Sequence, residues 1–90
     1  MRNFNLSIYK QYYDQIKSGA KKFEYRKLDD YYTKKFIIPG EKPKAQRYDT
    51  VTFYHKGDPP MVVEWKGLFL YPRKNPKWYA IRLGRIISDG

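Results

Sequence analysis

Ninety residues make one domain, read as residues 1–90, and they carry 19 Lys and Arg against 9 Asp and Glu, a formal net charge of +10. The absence of cysteine excludes disulfides and thiolate metal sites. Met1-Arg2-Asn3-Phe4 lacks an apolar signal core and no run approaches a transmembrane length, so the expectation is a soluble, cytoplasmic protein without a membrane partner.

The positive excess points first to a polyanionic partner, nucleic acid above all, although a basic balance also simply keeps a chain soluble. Apolar content comes mainly as rings: ten Tyr, five Phe and two Trp. Large rings bury much area per residue, and tyrosines keep a polar end that can line a cleft.

In chain order, Phe4, Leu6 and Ile8 alternate with Asn5 and Ser7, which predicts a half-buried strand. Tyr9, Tyr12, Tyr13 and Ile16 then follow helical spacing, predicting a helix over 10–18 that Gly19 stops. A second strand is expected over 21–28. On it Lys22, Glu24 and Arg26 share one face, while Phe23 and Tyr25 share the other, the aromatic face being taken as core. Asp29 or Asp30 can cap a short helix starting near Tyr31 and ending at Pro39-Gly40. Residues 40–47 read as a basic, proline-broken surface loop. Strands follow over 50–55, 61–70 and 78–87. Turn chemistry lies at 56–60, a bulge is expected at Gly67, and a second basic loop runs over 71–77. Residues 88–90 are expected to fray.

One early helix cannot cover a flat five-stranded sheet. The predicted fold class is therefore α+β: a small curled, partly closed β-barrel of about five strands with one or two short helices.

Three pieces of the chain resemble the ASCH domain family of the PUA-like superfamily, in its small single-domain bacterial or phage type. They are Leu6-Ser7-Ile8-Tyr9, the run Gly19-x-Lys21-x-x-Glu24-x-Arg26 after Ile16-Lys17-Ser18, and the closing Trp78 to Ile87. Tyr48-Asp49-Thr50-Val51-Thr52-Phe53 resembles a further strand of that family, with Tyr48 in place of its glycine. The Gly-x-Lys-x-x-Glu-x-Arg piece is the most specific of these. The resemblance implies a PUA-like pseudo-barrel with a cleft between helix and barrel, lined by Lys21, Glu24 and Arg26, and action on RNA. One branch of the family is an amidohydrolase on acylated cytidine with the pattern Gly-x-Lys-x-x-Thr-x-Arg. Here Glu24 stands where its threonine nucleophile would be, and the stretch from Val62 to Trp78 is too short for its inserted helix.

On spacing alone, the plainer reading of Lys21, Glu24 and Arg26 is an ion pair on a solvated strand. The resemblance moves the balance to a cleft in which the two cations hold a phosphate or base edge and Glu24 accepts hydrogen bonds or acts as a base. Tyr9 is expected at its rim. Lys42, Lys44 and Arg47 in one loop, and Arg73, Lys74 and Lys77 in the other, are candidate backbone contacts if the loops share a face. Trp65 and Trp78 read as core. His55 is the single histidine, and the aspartates show no metal-loop spacing. The expected function is an RNA- or nucleotide-binding domain, with RNA or a modified nucleoside as partner and no cofactor. The alternatives are a ribonuclease or amidohydrolase on modified nucleosides using Lys21 and Glu24 as catalytic residues, and a small basic protein-interaction module.

Overall fold

The computed structural model describes residues 1–89. The elements are β1 (Asn3–Ser7), α1 (Lys10–Lys17), β2 (Phe23–Lys27), α2 (Asp30–Phe36), β3 (Ile37–Ile38), β4 (Lys44–Ala45), β5 (Thr50–Tyr54), β6 (Met61–Tyr71) and β7 (Trp78–Ser88). Five strands form one curled sheet in the order β1-β5-β6-β7-β2, giving an α+β half-barrel with two short helices. β1 runs parallel to β5, and the other pairs are antiparallel. β3 and β4 make a separate two-stranded ribbon.

Local chemistry accounts for the element ends. The Asp29 side chain accepts the Tyr32 N–H at 2.9 Å and caps α2. Gly19 follows α1 with φ +84°, a conformation that side chains with a Cβ rarely adopt, and so lets the chain reverse into β2. In β6 the register slips between Val63 and Trp65 and again between Trp65 and Gly67. This irregularity lets one long strand serve both halves of a curled sheet. Asn3 Oδ1 accepts the hydroxyls of both Thr50 and Thr52 at 2.8 Å, satisfying two buried hydroxyls on β5 with a single side chain of β1.

The core is aromatic and centres on Phe36, which α2 inserts fully buried into the sheet's concave side. Phe4, Tyr79, Trp65 and Tyr32 surround it, with ring centroids at 5.0, 5.2, 5.7 and 5.7 Å. α1 contributes Tyr13 and Ile16 to the same core. The Tyr13 hydroxyl donates to the Pro59 carbonyl at 2.6 Å, and burial pushes its pKa up.

α2 ends at Phe36 rather than at Pro39-Gly40, because Ile37–Ile38 turn extended and pair with Lys44–Ala45. Three further expectations change. Residues 44–45 pair with 37–38, and Gln46 N–H donates to the Phe36 carbonyl, so the first basic loop is in part a ribbon. Ser88 pairs with Val62 and extends β7 beyond the strand end expected, while Gly90 lies outside the described residues. The third change is the largest: on β2 the faces are exchanged. Glu24 is 3% exposed and Tyr25 37% exposed. Glu24 lies opposite Ile81 and Arg26 opposite Tyr79, both buried residues of β7, so the charged face turns inward and the aromatic one outward.

Replacing Phe36 with alanine removes the ring that four others pack on. The Phe36→Ala variant is expected to lose about 3–5 kcal/mol in urea unfolding.

Candidate functional site

β1 and β2 are the two free edges of the half-barrel. Arg26 spans the gap between them: Nη2 donates to the Ser7 carbonyl of β1 at 3.1 Å, and Nη1 to the Tyr25 carbonyl at 2.9 Å. The same Nη1 lies 3.4 Å from Glu24 Oε2, close enough for an ion pair but not aligned as a hydrogen bond. Glu24 Oε1 accepts the Tyr25 N–H at 3.1 Å and lies 3.5 Å from Lys21 Nζ. Oε2 is thus a buried carboxylate oxygen with no hydrogen-bond donor.

Lys21 reaches the pair from the turn after Gly19, and its ammonium sits over two rings, 5.1 Å from the centre of Tyr12 and 5.3 Å from that of Tyr25. Such placement stabilises a cation while leaving its protons free to donate. Tyr71 and Trp78, at the ends of β6 and β7, complete a cavity of about 370 Å³ around Tyr12, Lys21, Glu24, Tyr25 and Arg26. That is the size of a small-molecule site, with rings for walls and a few charged groups converging.

Lys21, Glu24 and Arg26 therefore converge, as the resemblance implied, whereas strand alternation had grouped Lys22 with Glu24 and Arg26, and Lys22 lies instead by Glu64 and Lys66. Tyr9 is 76% exposed and lines an adjoining hollow that shares Tyr12, Tyr25, Arg26 and Trp78 with the cavity. The basic loops do not join the cleft as one surface. Lys44 and Arg47 line a separate groove with Tyr48, Trp65 and Lys66, and Lys42 lines neither. Arg73, Lys74 and Lys77 are exposed on the loop that leaves the cavity at Tyr71 and returns at Trp78. Trp65 is core, but Trp78 is 43% exposed, and with Tyr25 it forms cavity wall that the sequence reading assigned to the interior. The phase of β7 carries the missing signal. Trp78 and Arg82 fall on one face, and Tyr79, Ile81 and Leu83 on the other.

A second cluster of titratable groups is structural. His55 Nδ1 lies 3.0 Å from Asp58 Oδ2, so the single histidine has a carboxylate partner. Lys10 holds both oxygens of that carboxylate at 3.0 Å and also contacts Asp14 at 3.2 Å. No hydroxyl hydrogen-bonds to His55 among the described residues, so a nucleophile–base pair is not assembled. The cluster instead ties the start of α1 to the β5–β6 turn. The Lys10 ammonium, with help from His55, holds the Asp58 carboxyl below its ordinary range, and Asp58 raises Lys10 in return. On β6, the Arg85 backbone N–H similarly lowers Glu64. No group of three metal-ligating side chains occurs among the described residues.

A scan against protein-family models matches none, and comparisons with curated proteins and with solved structures find no significant match.

The depressed Asp58 value sets a direction with pH. Its stabilising contribution is present above the ordinary carboxylate range and is lost as pH falls through the lowered folded-state value. Melting temperatures of wild type and Asp58→Asn are therefore expected to differ at neutral pH and to converge as pH falls below the ordinary carboxylate range.

Proposed function

We propose that the chain is an ASCH-like domain that binds RNA or a nucleotide-like ligand in the cleft of Lys21, Glu24 and Arg26. The observation that carries this reading is Glu24 Oε2: a buried acceptor without a donor, beside a cavity walled by rings and flanked by two cations. An unmade hydrogen bond of this kind costs about 1–3 kcal/mol, more for a charged group. A ligand N–H that displaces the groups covering Oε2 and reaches it recovers that loss. The exocyclic amine or ring N–H of a nucleobase is such a donor, and its flat face suits the walls formed by Tyr12, Tyr25, Tyr71 and Trp78. Lys21 supplies the charge for a phosphate. Arg26 is already committed to the Ser7 and Tyr25 carbonyls, so its main part is to orient Glu24 and keep the cleft shut on the β1 side.

The catalytic alternative uses the same atoms. Lys21 and Glu24 in contact at 3.5 Å can polarise a carbonyl and activate water. The cavity lining holds no serine, threonine or cysteine, so a hydroxyl or thiol nucleophile of the Ser, Thr or Cys kind is not at hand, and attack by a Glu24-activated water is the simplest route.

Binding of a short labelled RNA, followed by anisotropy, is expected to weaken steeply with salt. Lys21→Ala should reduce the slope of log K against log salt by about one, as loss of a phosphate contact does. Glu24→Gln, which adds a donor where an acceptor is needed, should weaken binding about tenfold or more at constant salt slope. Salt-independent binding, or unchanged affinity in both variants, overturns the reading. Turnover of RNA or acylated nucleosides by wild type, lost in both variants, would instead establish the catalytic one.

A further inference from the structure

The exchanged faces of β2 expose more than the cleft wall. On the side away from the core, three cross-strand rows run over β2, β7 and β6. They are Phe23, Arg82 and Gly67; Tyr25, Ala80 and Phe69; and Lys27, Trp78 and Tyr71. Phe69, Tyr71, Trp78 and Tyr25 are 50, 54, 43 and 37% exposed. Each of these rings withholds from burial an area that a small basic domain has every thermodynamic reason to cover. The arrangement is ordered: Phe23 stacks on Tyr25 at an interplanar angle of 26°, and Tyr25 and Tyr71 are 5.6 Å apart. Ala80, the small residue at the middle, is only 3% exposed among its neighbours. A Cβ at Gly67 would come within 3.3 Å of the Phe69 ring, so a glycine at the bulge gives that ring its place.

The charge within the rows and on the adjoining loop has one sign, Glu24 of the cleft being turned to the other side of β2. Lys27 and Arg82 stand within the rows, and Arg73, Lys74 and Lys77 lie on the loop joining β6 to β7. The rows themselves contain no acid. Rings with exposed faces, spaced along antiparallel strands and bordered by cations, match the chemistry of unpaired bases on a phosphate backbone. An acidic protein would find the cations but has no need of so many stacking faces, and the positive border opposes pairing with a second copy of the same face.

We propose that the outer face of β2, β7 and β6 is a stacking platform for a single-stranded nucleic acid, which continues over the edge of β2 into the cleft. The platform goes beyond the cleft reading and does not depend on it, because Phe69, Phe23 and Arg82 do not line the cavity. It assigns the basic 71–77 loop to the phosphates of a strand lying on the sheet.

The test uses the full chain with two probes, uridine monophosphate and a labelled oligouridine of about 10 nucleotides. The oligomer is expected to bind on the order of tenfold tighter or more than the monomer. Phe69→Ala should weaken the oligomer about tenfold and leave the monomer unchanged, and Phe69→Trp should restore it. Phe69 is half exposed, so these variants are expected to keep the wild-type melting temperature. Oligomer affinity unchanged in Phe69→Ala overturns the platform, whatever happens in the cleft. Self-association in sedimentation that Phe69→Ala abolishes, without oligomer binding, also overturns it and makes the face a dimer surface. Phe69-dependent oligomer binding with no monomer binding upholds the platform while removing the cleft reading.

Discussion

A five-stranded sheet that curls without closing must do something with its two edges. In this chain the edges are β1 and β2, and a single guanidinium bridges them through the Ser7 carbonyl. Holding Arg26 there requires a counter-charge, and Glu24 supplies it from the next-but-one position on the same strand, turned inward against Ile81. Lys21 then compensates Glu24 from the turn after α1. Ion pairs of this kind cost so much desolvation that apolar replacements are often neutral or stabilising. Stability alone therefore gives little reason for a glutamate at position 24, and still less for one whose second oxygen has no donor. The seam and the site are one construction: the place where the barrel fails to close is the place where polar side chains reach a cavity.

The rest of the molecule follows from how a chain of this size distributes its rings. One set, around Phe36, closes the concave side of the sheet and gives a small domain its buried area. Within it the hydroxyls are provided for: Tyr79 pairs with Thr33 at 2.7 Å, and Tyr48 donates to the Lys35 carbonyl at 2.9 Å. The other set stays on the convex side. With the interior filled by the first set, the second is available for contact with something other than the protein's own core.

Much of the architecture was legible because alternation and turn chemistry agree on it. The helix stop at Gly19, the Asp29 cap, the bulge at Gly67 and the order of the long strands all stand where those local rules put them. Glu24 and Arg26 were legible as a shared strand face, and Lys21 only through the resemblance, since alternation put Lys22 in its place. Their burial was not, because alternation on β2 gives two faces without saying which turns inward. Hydrophobicity favours hiding Phe23 and Tyr25, and only the pairing with β7 decides otherwise. The error on Trp78 has the same origin, since a large ring at a strand end looks like core until its phase with Arg82 is considered. The separation of the Lys44–Arg47 groove from the cleft depends on where the β3–β4 ribbon docks, and no local pattern encodes that.

The parallel pairing of β1 with β5 has a consequence for how the molecule comes into being. Asn3 aligns with Thr50, and Phe23 with Arg82. Neither strand of the first third has a sheet partner until the second half of the chain exists. Pairings between consecutive strands of this sheet are β5–β6 and, longer, the β6–β7 hairpin. On a ribosome, the strands that will form the seam emerge first and wait longest, with their backbone groups unpaired and their rings in water. Closure of the edges, and with it the assembly of the Glu24 pocket, then has to await β5 and β7. A nascent chain stalled before β7 has the seam residues in full and no site.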